Sequence, residues 1–256
     1  IITIIRLNFL YKIIKIMSGI IQKKFNKVTA LLPMKGHSER VPGKNLKDFN
    51  GEPLYHRIMK TLLNSSYIDK IIVNTDSEKI IDDIKNNFNL KKVIINIRPD
   101  EIIGDFISMN KIIEYDISKY QSDIYIQTHS TNPLIKQKTI DNALKYFIEV
   151  KNNKLNSHDS IFSVTKILSR LYDKSKKPIN HNPDKLIRTQ DLDPIYEENS
   201  CIYIFTKESF FENSNKRIGK NPEIFEIDST EAIDIDTEFD FKLAETISKL
   251  SLNEQI

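Results

Sequence analysis

The chain has 256 residues, 39% of them hydrophobic and 29% charged, which is typical of a globular protein and excludes a fibrous or disordered one. Its 38 Lys and Arg residues nearly balance its 35 Asp and Glu residues, so the net charge of +3 predicts no nucleic-acid-binding surface. The single cysteine, Cys201, excludes an intrachain disulfide and indicates a reducing compartment such as the cytoplasm. It stands in an apolar run, so we interpret it as a small buried hydrophobe.

The first 17 residues are apolar but contain three basic residues, and they are short for a membrane span of about 20 apolar residues. No small-residue cleavage site of the signal-peptide type follows them. Met17 precedes an ordinary start for a folded protein. Our hypothesis is that residues 1–16 are extra sequence upstream of a natural start, or a helix packed on a partner. We expect an extension over residues 1–27, one domain over residues 28–256, and no membrane segment.

Strand-like and helix-like segments alternate along the first half of the chain. Short apolar runs predict strands, and apolar residues at helical spacing predict the helices between them. The predicted strands are 28–32, 70–75, 93–97 and 123–127, and the predicted helices are 53–65, 77–88, 108–117 and 139–150. Asp76 is the expected N-cap of the second helix. This order predicts a mostly parallel sheet with helices on both faces.

The second half of the chain is less regular. We predict strands at 160–164 and 201–205, a short edge strand at 225–227 and a closing helix at 237–250. Residues 174–186 are rich in Lys, Asn and Pro, which predicts a loop or arm that protrudes from the domain.

A basic loop follows the first predicted strand. Gly36 and Gly43, with Gly51 a little further on, are half of the six glycines in the chain. Glycine permits positive φ and close backbone approach, which lets N–H groups turn toward an anion. The loop also carries three cations, Lys35, Arg40 and Lys44. A strand, a basic loop and a helix in this order favour phosphate binding, although the glycine spacing also fits a solvated surface loop.

In a parallel α/β sheet, ligands bind beyond the carboxyl ends of the strands. This rule brings four polar segments of the sequence to one rim. They are residues 33–45, residues 74–76, residues 98–105 and the loop after Gln127.

Two aspartates near the C-terminal end, Asp234 and Asp236, are separated by one residue. If the segment is extended, both carboxylates lie on the same side of the backbone and form a hard-oxygen site for Mg²⁺. The alternative is that Asp236 or Thr237 caps the closing helix and Asp234 is solvated. Capping by Asp236 is expected in either case.

The basic loop and the aspartate pair together suggest a nucleoside triphosphate bound with Mg²⁺. A triphosphate carries about four negative charges. A bound divalent cation neutralises about half of them, and cations of the protein must balance the rest. The chain lacks the Walker loop and the His-Arg-Asp and Asp-Phe-Gly motifs of kinases. Attack at the α-phosphate, which releases pyrophosphate, is therefore the alternative to γ-phosphoryl transfer.

Five segments, taken in order, resemble the acylneuraminate cytidylyltransferase family, which contains the CMP–sialic acid synthetases and their relatives that act on other acidic sugars. The segments are PMKGHSERVPGKN, VNTDSEKI, RPDEIIGD, TQDLDPIYEENS and IDIDTEFDFKLAE. The resemblance runs over about residues 28–250, and it depends on the five motifs together rather than on any one of them.

The resemblance implies a three-layer, nucleotide-diphospho-sugar transferase-like (Rossmann-like) α/β fold with a mostly parallel central sheet and a protruding dimerisation arm. It implies a homodimer in which the neighbouring subunit supplies part of each active site. It also implies a reaction in which CTP and an acidic 2-keto-3-deoxy sugar give a CMP-sugar and pyrophosphate, with Mg²⁺ as the cofactor.

The resemblance further implies roles for individual residues. Those implied in catalysis are Lys35, Arg40, Lys44, Asp234 and Asp236, with the two aspartates as Mg²⁺ ligands. Those implied in nucleotide binding are Leu32, Pro33, Lys35, Gly36, Lys44, Asn45, Asn74 and Asp76. Those implied in sugar binding are Arg98, Asp105, Gln127, Arg188, Gln190 and Glu198. The fork of Arg188 suits the sugar carboxylate, and no residue is a clear general base.

The chain departs from the family pattern at three places. Met34-Lys35 replaces an Ala-Arg pair, Asn74 stands where serine is common, and THSTNPL after Gln127 is longer than the usual segment. Because of these departures, the identity of the acidic sugar stays open. The alternative acid substrates are 3-deoxy-manno-octulosonate and a phosphonate. The departures also leave open a nucleotide-binding protein without catalysis.

Overall fold

Seven strands form one mixed sheet in the computed structural model, which describes residues 27–152 and 157–253. The strands are β1 (Val28–Met34), β2 (Lys70–Thr75), β3 (Val93–Ile97), β4 (Ile124–Gln127), β5 (Ser160–Ile167), β6 (Ile195–Phe205) and β7 (Pro222–Glu226). Their order across the sheet is β3-β2-β1-β4-β6-β5-β7. Only β6 is antiparallel to its neighbours among these strands, so the prediction of a mostly parallel sheet is confirmed. The extension predicted for residues 1–27 lies, except for Lys27, outside the described residues.

Six α-helices join the strands within the described part of the chain. They are α1 (Leu54–Asn64), α2 (Glu78–Asn87), α3 (Met109–Lys119), α4 (Gln137–Lys151), α5 (Lys207–Glu212) and α6 (Glu238–Asn253). Helix α5 was not predicted, because six residues are too few to show a helical period. Its start is fixed by reciprocal hydrogen bonds between the backbone N–H groups and hydroxyls of Thr206 and Ser209.

Helices cover both faces of the sheet, so the domain has three layers. β1 is buried along its whole length, as expected of a central parallel strand. On one face, Leu32 belongs to a core that includes Ile58 of α1 and Leu144 of α4. On the other face, Leu31 belongs to a core that includes Ile113 of α3. The predicted three-layer α/β architecture is confirmed.

The second half of the sheet extends beyond the predicted strands. β6 begins at Ile195 rather than at Cys201, because its first residues pair with the end of β5. Cys201 is fully buried, and this burial raises the pKa of its thiol, as expected of a buried hydrophobe rather than a nucleophile. β7 lies at the edge of the sheet as predicted, although it ends before Ile227.

Residues 168–194 leave the sheet between β5 and β6, and we call this segment the arm. Most of its residues are exposed, and the Leu186 side chain keeps 85% of its surface accessible. A β-bridge between Tyr172 and Pro178 gives the arm local structure. The prediction of a protruding loop at 174–186 is therefore confirmed. Across residues 27–152 and 157–253, none of the helices combines the length and the apolar character needed to cross a membrane.

The predicted N-cap of α2 is wrong by one residue. The hydroxyl of Ser77, not the carboxylate of Asp76, accepts the N–H of Ile80 and caps the helix. Asp76 stands one position too early to reach that N–H group. Its carboxylate instead accepts the backbone N–H of Gly36 at 2.7 Å, which joins the loop after β1 to the end of β2.

Candidate active site

A pocket of about 290 Å³ opens at the carboxyl ends of β1 and β3. This is the edge of the sheet that the rule for parallel strands predicts. The predicted site residues in its wall are Pro33, Lys35, Arg40, Lys44, Asn45, Arg98 and Asp105. Wall residues that the sequence analysis did not identify include Ser38, Glu39, Ile107, Ser130 and Thr131.

Two glycines shape the loop that forms one side of the pocket. Gly43 has a φ of 63° and begins a 3₁₀ helix over Lys44–Leu46, so it supplies the left-handed conformation that the prediction invoked. Gly36 is required for a different reason. A Cβ at Gly36 would lie 2.7 Å from the Cβ of Ser77, so only glycine lets the loop pack this closely on the start of α2.

Asn45 holds the same loop against the end of β4. Its side-chain amide donates to the carbonyl of Lys35 at 2.9 Å, and its Oδ1 accepts the hydroxyl of Ser130 at 2.6 Å. Asn45 is buried, so these two hydrogen bonds fix its orientation. The predicted nucleotide-binding residue thus also sets the shape of the pocket wall.

Lys35 and Asp105 face each other across the pocket mouth. The Lys35 Nζ lies 2.6 Å from the Asp105 Oδ1, and both side chains are about half exposed. The hydrogen bond and charge of Lys35 hold the pKa of Asp105 below its ordinary value. The ion pair therefore keeps Asp105 ionised and makes it a weak proton acceptor.

Arg40 and Lys44 join the basic loop to the C-terminal aspartates. The Arg40 Nη2 lies 2.7 Å from the Asp236 Oδ1, and the Lys44 Nζ lies 4.0 Å from the same oxygen. The Lys44 amine also donates to the carbonyl of Ile235. Burial of Lys44 lowers its pKa, and the nearby aspartates oppose that change. Two segments about 190 positions apart in the sequence thus meet beside one pocket.

The segment that carries the two aspartates has no regular secondary structure and is anchored at its centre. Ile235 is fully buried and donates its N–H to the carbonyl of Thr131 at 2.9 Å. Asp234 retains exposed surface but is enclosed by the protein on its other sides, and this burial raises the pKa of Asp234. The carboxylate of Asp236 raises it further by like-charge repulsion.

This pair of carboxylates fits Mg²⁺. Mutual repulsion between two partly buried carboxylates is relieved by a divalent cation, and Mg²⁺ prefers oxygen ligands. One or two protein carboxylates are usual for Mg²⁺, which takes its other ligands from phosphate and water. No group of three or more His, Cys, Asp or Glu side chains forms a metal site among the described residues, so the protein would supply only this pair.

The expected helix cap at Asp236 is wrong. Thr237 caps α6, because its hydroxyl accepts the N–H of Asp240 at 3.2 Å while the Asp240 carboxylate accepts the N–H of Thr237 at 2.7 Å. The carboxylate of Asp236 is therefore not used in the helix cap and instead contacts Arg40 and Lys44 beside the pocket.

Asn74 positions Arg98 rather than presenting its own side chain to a ligand. It is fully buried, its Nδ2 donates to the Oδ1 of Asp116 at 2.7 Å, and its Oδ1 accepts the Nε of Arg98 at 2.8 Å. Arg98 also donates to the carbonyls of Met34 and Asn74 at 3.1 Å. The nucleotide-binding role of Asn74 stays a prediction, and both polar atoms of its side chain have protein partners in this structure.

Asp116 is a site residue that the sequence analysis missed. Its Oδ1 accepts the amides of Asn74 and Asn96, both at 2.7 Å, and so determines which way the Asn74 amide points. Its Oδ2 is buried without a partner among the described residues. A carboxylate inside the apolar stripe of α3, beside Ile113 and Ile117, is the sequence signal that identifies it.

Two further predicted residues have fully buried side chains. Leu32 packs in the core, so only its backbone is available to a nucleotide. Gln127 lies at the end of β4, where its Oε1 accepts Arg217 Nη1 at 2.6 Å. Its Nε2 lies 2.9 Å from the carbonyl of Thr128 and 3.1 Å from the Nε2 of His129. The structure thus gives Gln127 protein partners at the pocket rim.

His129 stands in the pocket wall and is neutral at neutral pH. Burial, followed by the positive charges of Arg217 and Lys44, lowers the pKa of His129 to about 4. It therefore contributes hydrogen bonding rather than charge to the pocket. The sequence analysis identified neither His129 nor Arg217, whose loop has no periodic pattern.

Three residues predicted to bind the sugar lie outside the pocket wall of this protomer. Arg188 makes two hydrogen bonds to the carboxylate of Asp191, at 2.7 and 3.0 Å, in the arm. Gln190 is exposed in the same short 3₁₀ helix. Glu198 accepts the hydroxyl of Tyr203. Within one described chain, the structure does not bring these residues to Lys44 and the aspartate pair.

Comparisons with known proteins agree with this geometry. Residues 29–255 match the family described as Cytidylyltransferase. Pseudaminic acid cytidylyltransferase of Campylobacter jejuni is 25% identical over 232 residues, which cover 86% of this chain and 96% of that protein. CMP-N,N'-diacetyllegionaminic acid synthase of Legionella pneumophila is 27% identical over 235 residues, which cover 88% of this chain and 97% of that protein.

A solved structure supports the same fold. CMP:2-keto-3-deoxy-manno-octonic acid synthetase complexed with CTP matches with a TM-score of 0.63 at 15% identity, covering 88% of this chain and 99% of that chain. N-acylneuraminate cytidylyltransferase A of Danio rerio is 26% identical over 231 residues, although this chain spans about half of that protein's length. The predicted relationship to the acylneuraminate cytidylyltransferases is confirmed, and the chain belongs to the cytidylyltransferase family.

Proposed function

We propose that this enzyme transfers CMP from CTP to an acidic 2-keto-3-deoxy sugar of the nonulosonate type, with Mg²⁺ as the cofactor. The observation that carries the proposal is the 2.7 Å contact between Arg40 and Asp236. This contact joins the basic loop that lines the pocket to a carboxylate pair suited to Mg²⁺, which lies beside the pocket. The relatives named for pseudaminic and legionaminic acids support the substrate class.

The reaction forms one bond and breaks one. The anomeric hydroxyl oxygen of the sugar bonds to the α-phosphorus, the bond from that phosphorus to the bridging oxygen breaks, and pyrophosphate leaves while the hydroxyl proton passes to solvent. Asp234 and Asp236 would hold Mg²⁺, which when bound would neutralise charge on the phosphate and polarise it.

The cations of the loop stabilise the departing pyrophosphate. Arg40 and Lys44, which contact Asp236 here, would turn to phosphate oxygens when CTP binds, and the Asp236 carboxylate would then be able to hold a metal ion. Lys35 adds a third charge at the pocket mouth. Asp105 is a poor general base because its pKa is lowered, and the Asp76 carboxylate already accepts a backbone N–H.

A homodimer and a cytoplasmic location complete the proposal. The arm exposes apolar side chains, including those of Tyr172, Ile179 and Leu186, which pairing of two subunits would bury. Arg188 and Gln190 would then face the neighbouring subunit's pocket. Sedimentation at micromolar concentration tests the pairing, and a monomer under those conditions would contradict it. A single buried thiol suits the reducing cytoplasm.

Pyrophosphate release tests the reaction. The enzyme is incubated with Mg²⁺, with CTP, UTP, GTP or ATP in turn, and with a panel of acids: N-acetylneuraminate, legionaminate, pseudaminate, 3-deoxy-manno-octulosonate and a phosphonate. We expect release with CTP and at least one nonulosonate. Release only with 3-deoxy-manno-octulosonate or the phosphonate would overturn the substrate class. Silence across the panel with CTP still bound would indicate a nucleotide-binding protein without catalysis.

A further inference from the structure

Arg217 is a partly buried cation that forms no ion pair among the described residues. Its guanidinium carbon lies 3.6 Å from the centre of the Tyr203 ring, and its Nη1 donates to the Oε1 of Gln127 at 2.6 Å. Burial lowers the pKa of Arg217, and the negative charge of Glu198 acts to raise it. The Glu198 carboxylate, however, accepts a hydrogen bond from the Tyr203 hydroxyl rather than from the guanidinium. Burying a guanidinium without a carboxylate partner is costly, because water is lost and no anion replaces it.

The loop that carries Arg217 is fixed on both sides. Before it, the N–H of Lys216 donates to the carbonyl of Phe210 at 3.2 Å. After it, the N–H of Gly219 donates to the hydroxyl of Ser160 at 2.7 Å, and a Cβ at Gly219 would lie 2.2 Å from Asp159. The guanidinium is therefore held in place before any ligand arrives, which lowers the entropy cost of binding.

The position of Arg217 relates it to the pocket. Tyr203 and Gln127 are direct partners in the antiparallel pairing of β6 with β4, so the guanidinium covers the end of β4. Gln127 contacts His129, which stands in the pocket wall. The positive charges of Arg217 and Lys44 both lower the pKa of His129, so both cations act on the same imidazole of the pocket wall. His129 is neutral and adds no charge of its own beside Arg217.

We propose that Arg217 binds the carboxylate of the acidic sugar and selects acids over neutral sugars. This inference rests on the proposed function. The guanidinium fork presents paired N–H donors that match a carboxylate, and the Tyr203 ring holds its plane. The aspartate pair and the basic loop bind the nucleotide at the other side of the pocket. Arg188, the residue that the sequence suggested for the carboxylate, is already paired with Asp191 in the arm.

The test compares wild type with Arg217→Gln and Arg217→Lys, using the nonulosonate with the fastest turnover and its carboxamide. We expect Arg217→Gln to lower kcat/KM for the acid by about 100-fold while the KM for CTP changes by less than about threefold. The preference for acid over carboxamide should fall by a similar factor. Arg217→Lys should recover part of the loss, since it keeps the charge but not the fork.

A matched control variant and a measurement of thermal unfolding separate a loss of sugar binding from a loss of folding. Arg57→Gln removes an arginine of α1 that contacts Glu52, and it should leave both KM values unchanged. A thermal unfolding midpoint close to that of wild type shows that Arg217→Gln is folded. An unchanged preference for acid over carboxamide in that variant would overturn the inference while leaving the proposed function intact.

If no acid turns over, the proposed function fails and binding decides the inference. Calorimetric titration of N-acetylneuraminate into CMP-saturated enzyme then compares wild type with Arg217→Gln. Binding that weakens at least about tenfold in the variant supports Arg217 as the carboxylate site. Equal binding by both proteins, or binding by neither at millimolar acid, overturns it.

Discussion

Replacing Asp116 by asparagine should make the stability of the protein less dependent on pH. Asp116 is fully buried in α3, and its carboxylate accepts the amides of Asn74 and Asn96. Burial raises the pKa of Asp116 from its ordinary value of 3.8 to about 6, although the two amides and the charges of Arg98 and Lys119 oppose the change. Asparagine keeps the accepting oxygen and removes the charge.

The magnitude follows from the raised pKa. Each pKa unit corresponds to about 1.4 kcal/mol, so a rise from 3.8 to about 6 corresponds to about 3 kcal/mol. Well below pH 3.8 the aspartate is protonated in both states and costs nothing. Between pH 4 and 6 the unfolded chain has lost the proton while the folded protein retains it, so the free energy of unfolding falls as pH rises. Above pH 6 the full cost remains.

Urea unfolding of wild type and Asp116→Asn at pH 4, 5, 6 and 7.5 measures this effect. The free energy of unfolding of the variant, relative to wild type, should rise by about 2.5 kcal/mol between pH 4 and pH 7.5, because part of the cost is already present at pH 4. Asp100→Asn, which alters an exposed aspartate, is the control and should run parallel to wild type. A constant difference between Asp116→Asn and wild type across the series would refute the assignment of a buried, ionising carboxylate.

Two further predictions concern the site itself. Gly36→Ala should lower kcat/KM for CTP by about tenfold or more, because its Cβ would lie 2.7 Å from that of Ser77 and displace the loop. Gly43→Asn is the control, since asparagine tolerates its φ of 63° and nothing lies within 4 Å, and a similar loss in both variants would count against the argument. Asp234→Asn should lower kcat by about 100-fold with a smaller change in CTP affinity, and raise the Mg²⁺ concentration for half-maximal rate. The control Asp82→Asn alters an exposed aspartate and should keep the wild-type kcat and Mg²⁺ dependence. Equal turnover by wild type, Asp82→Asn and Asp234→Asn would remove the metal role from Asp234.

The strand and helix predictions agree with the structure where the pattern was long and periodic. β1 to β4 and the helices between them lie within a few residues of their predicted positions. The errors occur where a local hydrogen bond decides a boundary. Ser77 rather than Asp76 caps α2, and Thr237 rather than Asp236 caps α6, because capping depends on the position of one side-chain oxygen.

Site residues were predictable from the sequence where several charged side chains stand together in a short segment. The basic loop and the aspartate pair both carry an unusual density of charge, and they meet as Arg40 and Asp236. Asp116 and Arg217 are single residues outside any charged cluster, so the sequence did not show which residues they contact. Their roles depend on Asn74 and Gln127, which the strand order of the sheet brings to them.

The sequence by itself determined where most strands and helices lie along the chain, and it showed the basic loop and the pair of carboxylates. Each of these features depends on residues that are close together in the sequence. Only the tertiary structure decided which polar groups are buried, and hence which carry a shifted pKa or lack a partner. Burial is a property of packing between distant segments. For this reason two features became evident only in the folded chain: the raised pKa of Asp116, and the guanidinium of Arg217, which forms no ion pair within residues 27–152 and 157–253.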